Sequence, residues 1–280
     1  DKPDVVVTID APGFCYDVWK GLRGSGITLV HYVAPSVWAW RPGRAKKFAS
    51  ELDHLLTLLP FEPPFFEKYG LSSTFVGHPV TEGEANFGNG ERFREKNDIE
   101  RDTLIVCILS GSRAGEIKRL GKVFRSVSKM FLKDYPRTVF VFPTVAYLRP
   151  HVDVLAASWP GPTIVVDTAK EKFDVMAASN VALAASGTVS LELAIAKVPH
   201  IIAYRLNGLT VAMFRMLHGF SQRYANLLNI LLEREVIPEF IQGRCKPDLI
   251  TKSLIQLVRD PGSRKRQLTD VTQALKMLET

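Results

Sequence analysis

Short apolar runs closed by turn residues recur along this chain and alternate with segments of helical periodicity, and that order restricts the fold more than any other feature. The runs cover residues 5–9, 27–33, 55–59, 103–109, 138–142, 163–166, 181–184 and 200–204. They are apolar at successive positions, as expected of strands buried on both faces. Between them, residues 43–53, 118–133, 171–179 and 189–196 repeat apolar side chains at helical spacing. Parallel strands need long crossovers, and helices supply them, so the pattern predicts an α/β protein with parallel sheets covered on both sides.

Residues 77–102 break the pattern: a proline, four glycines and many charges stand where a strand would be. The expected organisation is therefore a first unit over 1–82, a linker over 83–102 and a second unit over 103–280. The second unit ends in two amphipathic helices over 247–259 and 262–278. The last is basic at Arg264, Lys265 and Arg266, a solvated face or a lipid contact.

With 46% apolar and 23% charged residues the chain can fill its cores, which excludes disorder, collagen and coiled coil. Cys15, Cys107 and Cys245 are odd in number, far apart and in no metal-binding spacing, which favours a reducing compartment. The most apolar stretch, 55–66, is cut by Pro60, Pro63 and Pro64, too short to span a bilayer. The chain opens at Asp1 and enters a strand run within four residues, which reads as a fragment without its N-terminal part. A net charge of +7 predicts an anionic partner. No zinc finger or RNP motif is present and the basic residues are scattered, which argues against nucleic acid.

Two strand-to-helix turns carry the clearest chemistry. One is Leu109-Ser-Gly-Ser-Arg-Ala-Gly-Glu-Ile117 and the other Ala185-Ser-Gly-Thr-Val-Ser-Leu-Glu192. Gly with Ser or Thr at the opening of a helix presents backbone N–H groups to phosphate oxygens, and two such turns suit a diphosphate. Arg113 adds a planar, permanently charged donor. The alternative makes Ser112 and Thr188 ordinary helix caps and Arg113 a surface residue. Glu192 stands four residues after Thr188, outside capping-box spacing; it suits a ribose diol or serves the helix dipole.

In the first unit, Asp10 ends the first strand run and is followed by Pro12 and Gly13. It is either a helix cap or a general base. Trp38 and Trp40 flank Arg41 and Arg44 in Ala34-Pro-Ser-Val-Trp-Ala-Trp-Arg-Pro-Gly-Arg44, where they stack on sugar, meet a membrane surface or simply pack. His78, held extended by Pro79, reads as structural.

Taken together, these blocks resemble the lipid-A-disaccharide synthases, glycosyltransferases that join two acylated glucosamines. The matching residues are Ile9-Asp-Ala-Pro-Gly-Phe14, the Ala34 to Arg44 block, Leu59-Pro-Phe-Glu-Pro63, Phe75-Val-Gly-His-Pro79, Ser110-Gly-Ser-Arg-Ala-Gly-Glu-Ile117, Ser186-Gly-Thr188 through Glu192, Tyr204-Arg205, Asn226 and Pro238-Glu-Phe-Ile-Gln242. The first two are highly specific. Ser110 stands where the family usually has Pro and Gly13 where it has Asp, and the family's opening Gly-Glu-x-Ser-Gly-Asp turn has no counterpart here.

The resemblance implies a GT-B fold of two Rossmann-like domains, the first incomplete, with the acceptor and membrane on the first and the UDP-sugar on the second. It implies inverting transfer from UDP-2,3-diacylglucosamine to 2,3-diacylglucosamine 1-phosphate, with no cofactor or metal, at the cytoplasmic face of the inner membrane. Asp10 and Arg113 are the implied catalytic residues. Gly111, Ser112, Ser186, Gly187, Thr188, Glu192, Asn226, Glu239, Gln242, Trp38 and Trp40 are the implied substrate-binding residues. Two other functions fit the same residues: a UDP-sugar 2-epimerase of like architecture, and a non-catalytic module that binds lipid or a membrane surface.

Overall fold

The computed structural model describes residues 3–39, 42–185, 187–205 and 224–280. Two compact units, each built on a parallel sheet, make up the chain. Among the described residues the first comprises 3–82 with 276–280, and the second comprises the rest up to residue 275.

The first unit has four strands in the order β1-β2-β3-β4: β1 (Val5–Ile9), β2 (Thr28–Tyr32), β3 (His54–Thr57) and β4 (Ser72–Phe75). Helices α1 (Pro12–Leu22), α2 (Arg44–Ala49) and α3 (Pro64–Glu67) connect them. Its core centres on Trp19, which is fully buried with Leu29, Phe48, Leu55 and Phe66. The Trp19 indole is satisfied there, donating from Nε1 to Thr8 Oγ1 at 2.8 Å. Strand β4 escapes the sequence pattern because Ser-Ser-Thr-Phe has little apolar character. Strand β1 was expected to be buried on both faces and is not: it lies at the sheet edge, with Val5, Val7 and Ile9 47%, 52% and 64% exposed. Apolar character predicts a strand well, but which faces it buries depends on its neighbours.

The second unit holds β5 (Leu104–Leu109), β6 (Thr138–Pro143), β7 (Thr163–Val166), β8 (Val181–Ala184), β9 (His200–Tyr204) and β10 (Glu239–Ile241). Their order is β10-β9-β8-β5-β6-β7. The described helices are α4 (Gly90–Lys96), α5 (Ala114–Phe131), α6 (Arg149–Ala157), α7 (Ala169–Ala178), α8 (Val189–Ile195), α9 (Leu227–Leu231), α10 (Pro247–Arg259) and α11 (Pro261–Lys276). Alternation along β5 shows the sheet's two faces. Val106 and Ile108 pack into the core with Phe124 and Val127 of α5, while Cys107 lies on the side of Lys172 and Ser179, where burial lifts its thiol pKa to about 12. Strand order reverses at β5, whose neighbours are β6 on one side and β8 on the other. A crevice at the carboxyl ends of the strands is expected at such a point.

The stretch 83–102, expected as a linker, is a folded part of the second unit. Asn89 caps α4 by accepting from Arg92 N at 2.9 Å, and buried Asp174 of α7 accepts from Asn89 N at 2.7 Å and from the Arg92 guanidinium at 2.6 and 2.8 Å. The glycines that look like breakers serve close approach instead. A Cβ on Gly88 would lie 2.0 Å from the Phe173 carbonyl oxygen, and one on Gly90 2.6 Å from that of Ala177. At the other end the chain's last residues leave the second unit, since His78 N donates to Leu278 O at 2.9 Å within the first.

Candidate active site

The two glycine turns, 76 residues apart in sequence, close on neighbouring strands. Leu109 of β5 is in register with Ala184 of β8, and Ala185 N donates to Leu109 O at 2.7 Å. Between them opens a cleft of about 430 Å³ lined by Gly111, Ser112, Arg113, Glu116, Thr144, Tyr147, Lys172, Gly187, Thr188, Glu192 and Tyr204, among others.

Both glycines are required by the backbone. Gly111 has φ 121° and Gly187 φ 146°, values that side chains with a Cβ rarely adopt. The capping alternative fails at both turns: Arg113, not Ser112, is the residue flanking α5, and Thr188 makes no side-chain cap. The turns are nevertheless unequal. At the first, the Glu116 carboxylate folds back, accepting from Ser112 N at 3.0 Å and from the Tyr204 hydroxyl at 2.9 Å, with Arg113 at 3.5 Å. Burial, then this bond to Glu116, raises the Tyr204 phenol pKa. At the second turn, a Cβ on Gly187 would meet nothing within 4 Å, so the backbone there faces open space. The first turn thus has one of its N–H groups already satisfied by its own carboxylate.

Arg113 is 80% exposed at the cleft. Glu192 is paired with Lys172 of α7, Nζ to Oε1 2.7 Å, both side chains largely covered. Tyr147 also lines the cleft, its hydroxyl donating to Ser112 O at 3.1 Å. Lys172 and Tyr147 escaped the sequence reading: one belongs to an ordinary charged helix and the other follows a strand without a glycine signal. Glu116 was in view as part of a motif, and its spacing from Gly111 could have identified it.

Asn226 and Glu239, expected among the substrate contacts, are not among the described residues that line the cleft; both are buried in a polar network. Glu239 accepts from Ala225 N, Asn226 N and Asn229 Nδ2 at 2.7–2.9 Å. Asn226 caps α9 and donates to Ser190 Oγ, which in turn meets His200 Nε2 at 2.7 Å. Burial lowers the His200 pKa to about 4, so this serine–histidine pair is neutral and sealed from substrate. Gln242, at the end of β10, has φ 51°, and its Nε2 is buried without a partner among the described residues. Ser186 and Trp40 lie outside the described residues.

In the first unit, Asp10 and Ala11 both have positive φ (52° and 43°), and Val33, at the end of the adjoining strand, has φ 79°. Strained backbone at the carboxyl ends of two adjacent strands is a feature of functional loops. Asp10 is exposed, not partly desolvated as expected, and it caps nothing: Ala11 is the residue flanking α1, without a side-chain cap. Trp38 is half-buried, its edge against Phe61 at 5.3 Å and its Nε1 donating to Glu62 Oε1 at 3.0 Å. Packing is thus its principal contact here. Lys47 lies over the Tyr16 ring at 3.8 Å. His78 accepts from Val80 N at 3.1 Å, and burial lowers its pKa, consistent with a structural role.

The lipid-A-disaccharide synthetase (LpxB) family model matches residues 1–279. The lipid-A-disaccharide synthase of Rhodospirillum centenum is 47% identical over 278 residues, covering 99% of this chain and 69% of its own length. The chain belongs to the lipid-A-disaccharide synthase family. Its activity is accordingly that of a glycosyltransferase of lipid A biosynthesis. Among solved structures, a UDP-GlcNAc 2-epimerase from Neisseria meningitidis bound to UDP-GlcNAc shares 12% identity with a TM-score of 0.62, over 98% of this chain and 74% of that one. MurG of Acinetobacter baumannii shares 14% identity with a TM-score of 0.60, over 99% and 70%. These likenesses extend to the fold alone, which is GT-B-like, and the family match separates the chain from the epimerases. Among the described residues no helix is long and apolar enough to cross a membrane.

Proposed function

We propose that the chain transfers 2,3-diacylglucosamine from UDP-2,3-diacylglucosamine to 2,3-diacylglucosamine 1-phosphate, with inversion, giving the disaccharide 1-phosphate and UDP. The reading rests on the cleft at the strand-order reversal, where an open glycine turn, Arg113 and a carboxylate–lysine pair meet in a member of this family. In it, Ser186, the backbone at Gly187 and Thr188, and exposed Arg113 take the diphosphate. Arg113 neutralises charge that grows as UDP departs. Glu192, oriented by Lys172, accepts from the ribose hydroxyls. Gly111 and Ser112 shape the cleft with Glu116. Asn226, Glu239 and the buried Gln242 amide act at one remove, at the start of α9 and the end of β10.

Asp10, from the first unit, takes the proton of the acceptor's 6-hydroxyl as that oxygen attacks the anomeric carbon; the C–O bond to the diphosphate breaks as the new glycosidic bond forms. Trp38, Trp40, Arg44 and Lys47 belong to a segment that meets an anionic membrane surface, at the cytoplasmic face of the inner membrane where the acylated substrates reside. The test is UDP release with disaccharide formation from the two acylated substrates. Arg113→Ala is expected to slow it by about two to three orders of magnitude, the usual cost of removing one charge-stabilising donor. Unchanged turnover in Arg113→Ala, or UDP release without disaccharide, refutes the assignment.

A further inference from the structure

A second concavity, with no part in the cleft chemistry, runs along the seam of α5 and α6. Its volume is about 580 Å³, and its walls include Ala114, Ile117, Gly121, Pro150, Val154 and Leu155. Gly121 brings the helices together: a Cβ there would stand 2.7 Å from Leu155 Cδ1. The lining is mainly apolar, yet it is open, and Val154 is 75% exposed. Around this apolar floor stand Lys118, Lys122 and Arg125, with His151 opposite on α6.

The three cations are scattered in sequence terms but share one face of α5, at i, i+4 and i+7. All are exposed, and none has an ion-pair partner among the described residues. No acid lines the groove: Asp153 of α6 is turned to Arg149 at 3.6 Å, and Glu116 of α5 into the cleft. An apolar trough ringed by unpaired cations complements a molecule with an aliphatic chain and an anionic head. A nucleic-acid backbone would satisfy the cations and leave the trough uncovered, and a neutral peptide the reverse.

We infer that this groove is a docking site for an anionic phospholipid, its acyl chain lying on Val154 and Leu155 and its phosphate held by Lys118, Lys122 and Arg125. The site goes beyond the membrane contact assigned to the Trp38–Lys47 segment, which lies on the other unit. It also adjoins the cleft in sequence: Ala114 of the groove follows Arg113 of the cleft.

Sedimentation of the intact chain with vesicles of phosphatidylglycerol and phosphatidylcholine, against phosphatidylcholine alone, tests the site. The chain is expected to partition to the anionic vesicles only. Lys118→Gln/Lys122→Gln/Arg125→Gln is expected to lower that partition roughly hundredfold, about fivefold for each cation near an anionic leaflet. Val154→Asp, an exposed change that leaves the cations in place, is expected to lower it at least tenfold. UDP binding and melting temperature, measured alongside, should match the parent in both variants, which shows that they fold. Parent-like vesicle binding by the triple variant overturns the site, whatever Trp38→Ala/Lys47→Gln does in parallel. Parent-like binding by Val154→Asp overturns the acyl-chain trough. Loss of binding to a short RNA with vesicle binding intact, or release from vesicles by millimolar inorganic phosphate, also overturns it.

Discussion

Replacing Glu62 by Gln should change how the stability of the first unit depends on pH. Glu62 is 3% exposed, and its two carboxyl oxygens accept from Trp38 Nε1 and Leu59 N, both at 3.0 Å. Burial dominates and raises its pKa to about 7, with the two hydrogen bonds opposing the rise. Between its unfolded value near 4.5 and about 7, the folded chain therefore holds a proton that the unfolded chain has released. Stability must fall as pH rises through that window. A displacement of this size corresponds to roughly 3 kcal/mol once pH is above the folded value. Gln is neutral throughout, so the loss disappears, but its single carbonyl can accept only one of the two donors, at a cost of about 1 kcal/mol. The variant should thus be slightly less stable than the parent at pH 5 and about 2 kcal/mol more stable at pH 8. Urea unfolding read by tryptophan fluorescence suits the measurement, because among the described residues Trp19 and Trp38 fall in the first unit and Trp159 in the second. Buried His31 and half-buried His78, whose pKa values are lowered, add stability as pH rises towards 6.5, but they are common to both chains and cancel in the difference. Parallel pH profiles for parent and variant would refute the reasoning.

Gly88→Ala, which places a Cβ against the Phe173 carbonyl, should destabilise the second unit by about 1–3 kcal/mol, seen as a lower melting temperature; an unchanged one means that 83–102 is not docked as described. Lys172→Ala should weaken UDP about tenfold by calorimetry, since Glu192 loses the partner that orients it; unaltered affinity removes the pair from the binding site. Asp10→Asn should lower turnover by about 10²–10⁴ while UDP affinity and melting temperature stay constant, and retained turnover excludes it as the base.

The second sheet was nearly all legible because its strands are apolar on both faces and therefore announce themselves. Its five apolar runs and five helical stretches fall within a few residues of observed elements, whereas Ser72–Phe75 of the first sheet and Glu239–Ile241 are strands through their neighbours, with no apolar run of their own. Residues 83–102 were misread for a related reason. A glycine in sequence signals conformational freedom or close approach equally well, and only the packing of Gly88 and Gly90 on α7 decides between them.

The site was legible where chemistry is tied to backbone geometry and obscure where it depends on partners. Gly111 and Gly187 stand out in the sequence as candidates because their positive φ requires glycine, and Asp10 because proline and glycine follow it. Nothing local foretells that Glu192 meets a lysine 20 residues earlier, or that Glu116 satisfies Ser112 N–H. The same distinction explains Asn226 and Glu239. A motif match marks them without telling a contact from a support, and what the structure adds is their burial in the Ser190–His200 network. It follows that substitutions at Asn226 or Glu239 should act on stability and on substrate affinity together, because both depend on the start of α9, whereas Arg113 and Asp10, exposed and uncommitted to capping, can alter turnover while leaving the fold intact.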